Sequence, residues 1–189
     1  MKQPLDDIVL VEGLNELNVA MTPIAVVFLA PCVYCEATFT TEEELIDHMA
    51  ASHPGKPYLV YAYPLVEQVA SGGRLSFSMK VYSPAVPMTE RPGNYAFSIY
   101  IPDFPIRRLY NEAILYIDRG SPAGFYEGTP YMWVKYMTGT FPEIQHNIPP
   151  GTYRLYSRGI YRKDIKDVGW VLAETFWSGV DTGLTIQVV

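Results

Sequence analysis

The pattern of hydrophobic and polar positions changes near residue 56. Beyond that point apolar residues come in short runs, rich in β-branched and aromatic side chains and bounded by Pro and Gly. The run 75–81 alternates strictly between apolar and polar positions, which is typical of a strand with one buried face. The pattern predicts eight strands, at residues 58–63, 75–82, 95–101, 113–117, 131–137, 152–156, 169–175 and 184–188.

Short strands separated by turn signals favour a mainly β fold, with one antiparallel β-sandwich of immunoglobulin-like type over residues 56–189. The segment 149–153, Pro-Pro-Gly-Thr-Tyr, is followed by alternating residues and resembles the penultimate strand of many sandwich modules. Only residues 106–115 have a spacing that predicts a short helix in this region.

The first 29 residues are also β-like. Leu17, Val19 and Met21 alternate with other residues after a turn signal at 13–15, and the phrase VEGLNELNVAMTPI resembles the final strand of carboxypeptidase-regulatory repeats. These strands have no obvious sheet of their own. We therefore expect them to pair with the large domain or with a second copy of the chain in a homo-oligomer.

Four of the chain's five cysteines and histidines lie in one short segment, CVYCEATFTTEEELIDHMAASH. The spacing C-x2-C-x12-H-x4-H of Cys32, Cys35, His48 and His53 is that of a structural zinc site. Two thiolates and two imidazoles complete a tetrahedron, so the spacing predicts one structural Zn²⁺ with no position open for chemistry. A redox pair of cysteines with incidental histidines is the alternative, and the complete ligand set argues against it.

Two apolar positions between these ligands, Phe39 and Leu45, strengthen the resemblance to the two-cysteine, two-histidine zinc finger family. In that family these positions form the small core. The resemblance implies a ββα unit over residues 30–55, with both cysteines in the turn of a hairpin and both histidines on the helix.

The helix of this unit has its own signals. Thr40 and Glu43 have the spacing of a capping box, and the acidic residues 42–44 suit the positive end of the helix dipole. The stiff linker 54–57, Pro-Gly-Lys-Pro, predicts that the finger rests against the sandwich.

Charge argues against DNA binding by this finger. The chain has no Lys or Arg from residue 3 to residue 55, and the base-reading helix positions fall on Thr41, Glu44 and Asp47. Affinity for DNA depends largely on basic side chains that neutralise phosphates. Nucleic-acid binding is therefore an alternative that the composition disfavours.

No arrangement of residues marks an active site. His146 is the only histidine outside the finger and lies in a Pro-rich segment, and the carboxylates after residue 100 have no acid/base spacing. The sequence predicts a protein that is not an enzyme. A small set of basic residues is either solvated surface or an anion site: Arg107, Arg108, Arg158, Arg162, Lys163 and Lys166.

The tryptophans suggest a different binding function. Trp133, Trp170 and Trp177 are candidates for stacking on sugar rings from a sheet face, as in carbohydrate-binding modules, although a place in the core is the more ordinary role for each.

The prediction is therefore a non-enzymatic, zinc-binding structural or protein-interaction protein, with an unidentified protein partner. Such modules suit a viral or phage particle component or accessory protein. Nucleic-acid binding and carbohydrate binding are the two alternatives. The sequence shows no signal peptide, and its longest apolar stretch is far shorter than the roughly 20 residues of a membrane helix. We therefore expect no membrane association and a location in the cytoplasm or within a virus particle.

Overall fold

The computed structural model describes residues 30–35, 37–88, 93–139, 142–165 and 168–189. The described chain is mainly β, with one short helix, which confirms the predicted class. The helix α1 spans Glu42–Ser52. The strands are β1 (Tyr58–Pro64), β2 (Gln68–Val69), β3 (Arg74–Ser83), β4 (Gly93–Tyr100), β5 (Glu112–Asp118), β6 (Gly124–Gly128), β7 (Tyr131–Trp133), β8 (Lys135–Thr138), β9 (Ile144–Asn147), β10 (Gly151–Ile165) and β11 (Gly169–Val188). The strands predicted within residues 1–29, and their pairing, lie outside the described residues.

The strands form two main sheets and a hairpin. The first sheet has the order β1-β3-β6, and β7 pairs with the other end of β3. The second has the order β2-β11-β10-β4-β5, and β8 pairs with β9. The pairing of the short strand β2 with β11 is parallel, whereas the other named strand pairs are antiparallel.

One apolar core joins the two sheets. Strand β3 buries every second side chain, as its alternating sequence predicts. Its core residues Phe77 and Met79 belong to the same buried cluster as Phe97 of β4 and Ile186 of β11. Apolar burial between the sheets therefore holds the domain together.

The structure differs from the predicted pattern in several places, and it adds the short strands β2, β6 and β9, which were not predicted. The strand predicted at 131–137 is divided at the buried Val134, which hydrogen-bonds with Gly73 and so separates β7 from β8. The two last predicted strands merge into β11, whose pairing with β10 contains several register shifts. The short helix predicted at 106–115 is wrong, because Leu109 has a positive φ of 67° and β5 begins at Glu112.

The predicted hairpin of the ββα unit is also wrong, since none of residues 30–35 and 37–41 is in a strand. The backbone of this segment has other partners. The Ala30 N–H donates to the carbonyl of Val60 at 3.2 Å, so the segment lies along the edge of β1. The Cys32 N–H donates to the Ala37 carbonyl at 2.8 Å and closes a turn at residues 33–35.

Candidate metal centre

Helix α1 begins one residue later than the sequence pattern suggested. The N-cap is Thr41 and its capping-box partner is Glu44, so the predicted pair Thr40 and Glu43 is wrong by one position. The Thr41 hydroxyl accepts from the Glu44 N–H at 3.2 Å, and the Glu44 carboxylate accepts from the N–H groups of Thr40 and Thr41. Both Thr-x-x-Glu windows fit the motif. In the structure the second is the cap, and its Thr41 has the extended conformation of an N-cap, with φ −132° and ψ 155°.

The apolar face of α1 packs on the outer face of the first sheet. Leu45 and Met49 are fully buried, in one cluster with Tyr58 and Val60 of β1. The intervening residue, Leu59, belongs to the main core instead. Strand β1 is therefore covered on both faces, and burial of its outer face positions the helix.

The residues predicted to form the small finger core lie in this same cluster. Leu45 is buried at its centre, and Phe39 is half-buried at its margin. The ring of Phe39 lies 5.0 Å from the ring of His48, centroid to centroid. Phe39 therefore orients a candidate ligand in addition to packing.

The five-residue separation of the histidines is accommodated at the end of the helix. His48 lies within α1, whereas His53 is the C-cap, with φ −136° and ψ 53°, and its N–H donates to the Met49 carbonyl at 3.0 Å. Leaving the helical conformation at His53 turns its side chain toward His48, and the two ring centroids lie 5.3 Å apart.

The four predicted ligands come together. One ligand atom from each of Cys32, Cys35, His48 and His53 lies within 4.8 Å of all the others. The Cys35 Sγ and the His48 Nε2 are 3.2 Å apart. The His53 Nε2 is buried and has no hydrogen-bond partner among the described residues. A buried nitrogen without a partner is costly, and a metal ion at the centre of the group would satisfy it.

The two thiols differ in environment. Cys32 is only 3% exposed, whereas Cys35 is exposed. Burial raises the pKa of the Cys32 thiol, against the opposing effect of the backbone N–H of Tyr34. The thiolate is the form that ligates a metal. A metal bound at this site would therefore displace the proton that burial favours on the Cys32 thiol.

Tyr34, between the two cysteines, is a supporting residue that the sequence reasoning missed. Its ring lies 5.1 Å from that of His53, and its hydroxyl donates to the Pro57 carbonyl at 2.6 Å. Burial raises the pKa of the Tyr34 phenol. Tyr34 thereby joins the cysteine turn to the residues that follow the helix. The one feature of the sequence that could have indicated this role is the position of an aromatic residue inside the C-x2-C motif.

Lys80 is a second supporting residue that the sequence reasoning missed. It forms ion pairs with Glu42, in the first turn of α1, and with Glu127 of β6. The side-chain hydrogen bond to Glu42 is the main cause that raises the pKa of Lys80. The acidic helix is thus attached to the sheet by charge as well as by apolar contact.

The three tryptophans have different environments. Trp133 and Trp170 are 39% and 44% exposed. Trp177 is 5% exposed and lies in the core against Phe97, so its assignment as a ligand-facing residue is wrong. Trp177 pairs with Gly159 of β10, and the lack of a side chain at that glycine leaves room for the indole.

His146 lies on β9, away from the cysteine and histidine group. Its Nε2 is 2.8 Å from the Thr138 hydroxyl, and its ring stacks on Tyr136 at 5.0 Å. These contacts join the two strands of the β8–β9 hairpin, so His146 has a structural role there.

Comparison of the chain with protein-family models gives no match, and a search of curated proteins gives none either. No helix in the described part of the chain has the length and apolar character needed to cross a membrane.

Proposed function

We propose that the four clustered side chains hold one structural Zn²⁺, in a two-cysteine, two-histidine finger that departs from ββα geometry. The convergence of all four ligand atoms carries this proposal. Zinc–ligand bonds near 2.3 Å for sulfur and 2.0–2.1 Å for nitrogen place neighbouring ligand atoms of a tetrahedral site about 3.3–3.8 Å apart. The Cys35–His48 separation of 3.2 Å is close to that range. With four protein ligands no position remains for water or substrate, which supports a structural role.

The proposed zinc module, which corresponds to residues 30–55, presents an acidic surface. Its buried residues face β1, while Glu43, Glu44 and Asp47 are exposed on the opposite side of α1. We propose that this surface contacts a protein partner with basic character. The same charges oppose nucleic acid, and Glu44, at a base-reading position, is already engaged in the helix cap. A viral or phage particle as the setting stays a prediction.

We further propose that the β domain is immunoglobulin-like. Its second sheet has the order of strands G-F-C-C′, with β11, β10, β4 and β5 in those places, and its first sheet has the order A-B-E, with β6 and β7 together as E. The Tyr153 hydroxyl donates to the Pro149 carbonyl at 2.9 Å, near the start of β10. A tyrosine bonded in this way at the start of strand F is a hallmark of the immunoglobulin fold.

Metal analysis of the purified chain tests the zinc proposal. Protein produced with ample zinc should contain one Zn²⁺ per chain by elemental analysis and native mass spectrometry. His53→Gln and Cys35→Ser should lose it, while His146→Gln, the matched histidine control, should retain it. Zinc-free wild-type protein, or equal zinc in all variants, would refute the site.

A further inference from the structure

A second group of functional side chains lies on the outer face of the second sheet. Strands β4, β5 and β10 run side by side there, and their register aligns Asn94 with both Asp118 and Arg162. Two adjoining cavities of about 260 and 280 Å³ open on this face and share Arg108, Tyr116 and Arg162. We call the second of them the arginine groove; it is lined by Asn94, Arg108, Tyr116, Asp118, Arg162 and Trp170.

Two of the arginines around these cavities have a partner. Arg107 is paired with Glu143, and Arg158 with the buried Glu112. Arg107 and Arg158 therefore each have a negative partner within the protein. The positive charge of the arginine groove therefore comes from Arg108 and Arg162, which line it.

Arg108 and Arg162 are different, since neither has an ion-pair partner among the described residues. Both guanidinium groups lie over the ring of Tyr116, at 4.9 and 6.0 Å from its centroid. Both arginines line the arginine groove, so two positive charges face the same cavity. Guanidinium groups match the planar, bidentate geometry of a carboxylate, so the pair is suited to an anionic group on a ligand.

The same groove contains a hydrogen-bond acceptor in need of a donor. Asn94 is only 6% exposed, and its Oδ1 has no partner in the described part of the chain. Buried amide oxygens almost always have a hydrogen-bond partner. Asp118, at the end of β5, is a second acceptor at the rim. A ligand for this groove therefore carries hydroxyl or amide donors as well as negative charge.

An aromatic surface completes the groove. Trp170 is 44% exposed, and the Arg162 guanidinium lies 5.3 Å from its ring centroid. This contact orients the indole beside the cationic centre. An exposed indole face packs well against an apolar ring face.

We propose that the arginine groove binds an acidic sugar, a carboxylate-bearing residue of a glycan such as a sialic or uronic acid. Arg108 and Arg162 take the carboxylate, Asn94 and Asp118 accept from hydroxyl or amide groups, and Trp170 packs on the sugar ring. An inorganic anion would use only the arginines. An acidic peptide has carboxylates and amide donors, but it has no sugar ring to pack on the indole of Trp170. This site is on the opposite sheet from the zinc module and does not depend on it.

Titration of zinc-replete protein with defined sugars tests the proposal. The probes are sialyllactose and a glucuronate-terminated disaccharide, with neutral lactose as control, followed by NMR and calorimetry at low and physiological salt. We expect at least one acidic probe to bind and lactose to bind about tenfold more weakly or worse. No binding of either acidic sugar at low salt, or equal binding of lactose, would overturn the proposal.

Variants and competitors locate the site. Arg162→Gln and Trp170→Ala should each weaken binding about tenfold or more, with Arg108→Gln as a second charge variant if Arg162→Gln does not fold. Two control variants should bind as the wild type does. Arg154→Gln removes an arginine of the same strand that is paired with Asp181. Phe125→Ala removes an aromatic ring of the other sheet that is as exposed as Trp170. Equal loss in these controls would overturn the proposal, as would full displacement by sulfate or polyglutamate at the same concentration as the sugar.

Discussion

The side chain of Trp177 fills the centre of the core between the sheets. Its indole N–H donates to the Ser157 hydroxyl at 3.2 Å, so the one polar atom of the ring is satisfied. Its ring meets Phe97 on one side and Tyr34, from the cysteine turn, on another. A single residue thus connects the second sheet to the segment that carries the candidate metal ligands.

The ring of Trp177 requires a glycine at position 159. A Cβ at Gly159 would lie 2.2 Å from two carbons of that ring, which is far inside van der Waals contact. Gly159→Ala should therefore lower the free energy of unfolding by about 1–3 kcal/mol, through overpacking. Gly124→Ala is the matched control, because its Cβ would meet nothing within 4 Å. Urea unfolding measures both, and equal stability of the two variants would contradict the packing described.

Tyr58 of β1, which packs against the helix, should make the stability of the folded chain depend on pH in the alkaline range. Burial, with smaller effects of Tyr82 and Glu42, raises the pKa of Tyr58 from 10.0 to about 12. The unfolded chain releases this proton first, so stability is complete below pH 10 and falls as pH rises toward 12. The fall should be about 1–3 kcal/mol for this group. Urea unfolding from pH 8 to 12 should show a shallower fall for Tyr58→Phe, and an unchanged fall would contradict the assignment.

At the scale of elements, the first turn of α1 depends on its cap. Thr41 and Glu44 satisfy each other's backbone N–H groups, and Glu44 also accepts from the N–H and hydroxyl of Thr40. These bonds, first those from Thr40, lower the pKa of the Glu44 carboxyl below its usual 4.5. The cap therefore stabilises the folded chain above that pH, and its contribution is lost as pH falls through the lowered pKa.

Thr41→Ala tests the register of the cap. It should lower stability by about 1 kcal/mol, because it leaves the Glu44 N–H without its acceptor. Thr38→Ala, another exposed threonine in the preceding segment, should be nearly neutral. Chemical unfolding of the zinc-loaded protein compares them, and a neutral Thr41→Ala would place the helix start elsewhere.

At the scale of the whole molecule, the segment with the candidate metal centre covers part of a sheet. Its helix lies over Tyr58 and Val60 of β1 and beside Tyr82 of β3. The short linker at 54–57 keeps the module at this position, as its Pro and Gly content suggests. If zinc holds the helix in place, its removal leaves an apolar sheet face in contact with water.

Chelation should therefore loosen one sheet more than the other. We expect hydrogen exchange of β1 amides to accelerate and dye binding to apolar surface to increase, whereas amides in the β4–β10 pairing should keep their protection. Cys35→Ser without chelator should reproduce the pattern, and chelation of that variant should add nothing. Uniform acceleration across both sheets, or none in β1, would contradict this arrangement.

Local patterns predicted a large part of the structure. The cysteine and histidine spacing predicted which four side chains would come together, because they lie in one short segment. Strict alternation located β3, because one face of that strand is buried. The predicted N-cap, Thr40, was wrong by one position, because two overlapping Thr-x-x-Glu windows satisfy the same motif. The missed strands β2, β6 and β9 are short and have weak patterns, so pairing with neighbours defines them more than sequence does.

By itself, the sequence determined which four side chains would meet at the candidate metal centre and that the remainder would be mainly β. Both outcomes depend on contacts or periodicities within a short segment. Only the tertiary structure decided that Trp177 is buried while Trp170 is exposed, that the cysteine segment follows the edge of β1, and that Arg108, Arg162 and Asn94 share one groove. These outcomes depend on strand register and bulges, and residues more than fifty positions apart are brought together by the sheet as a whole.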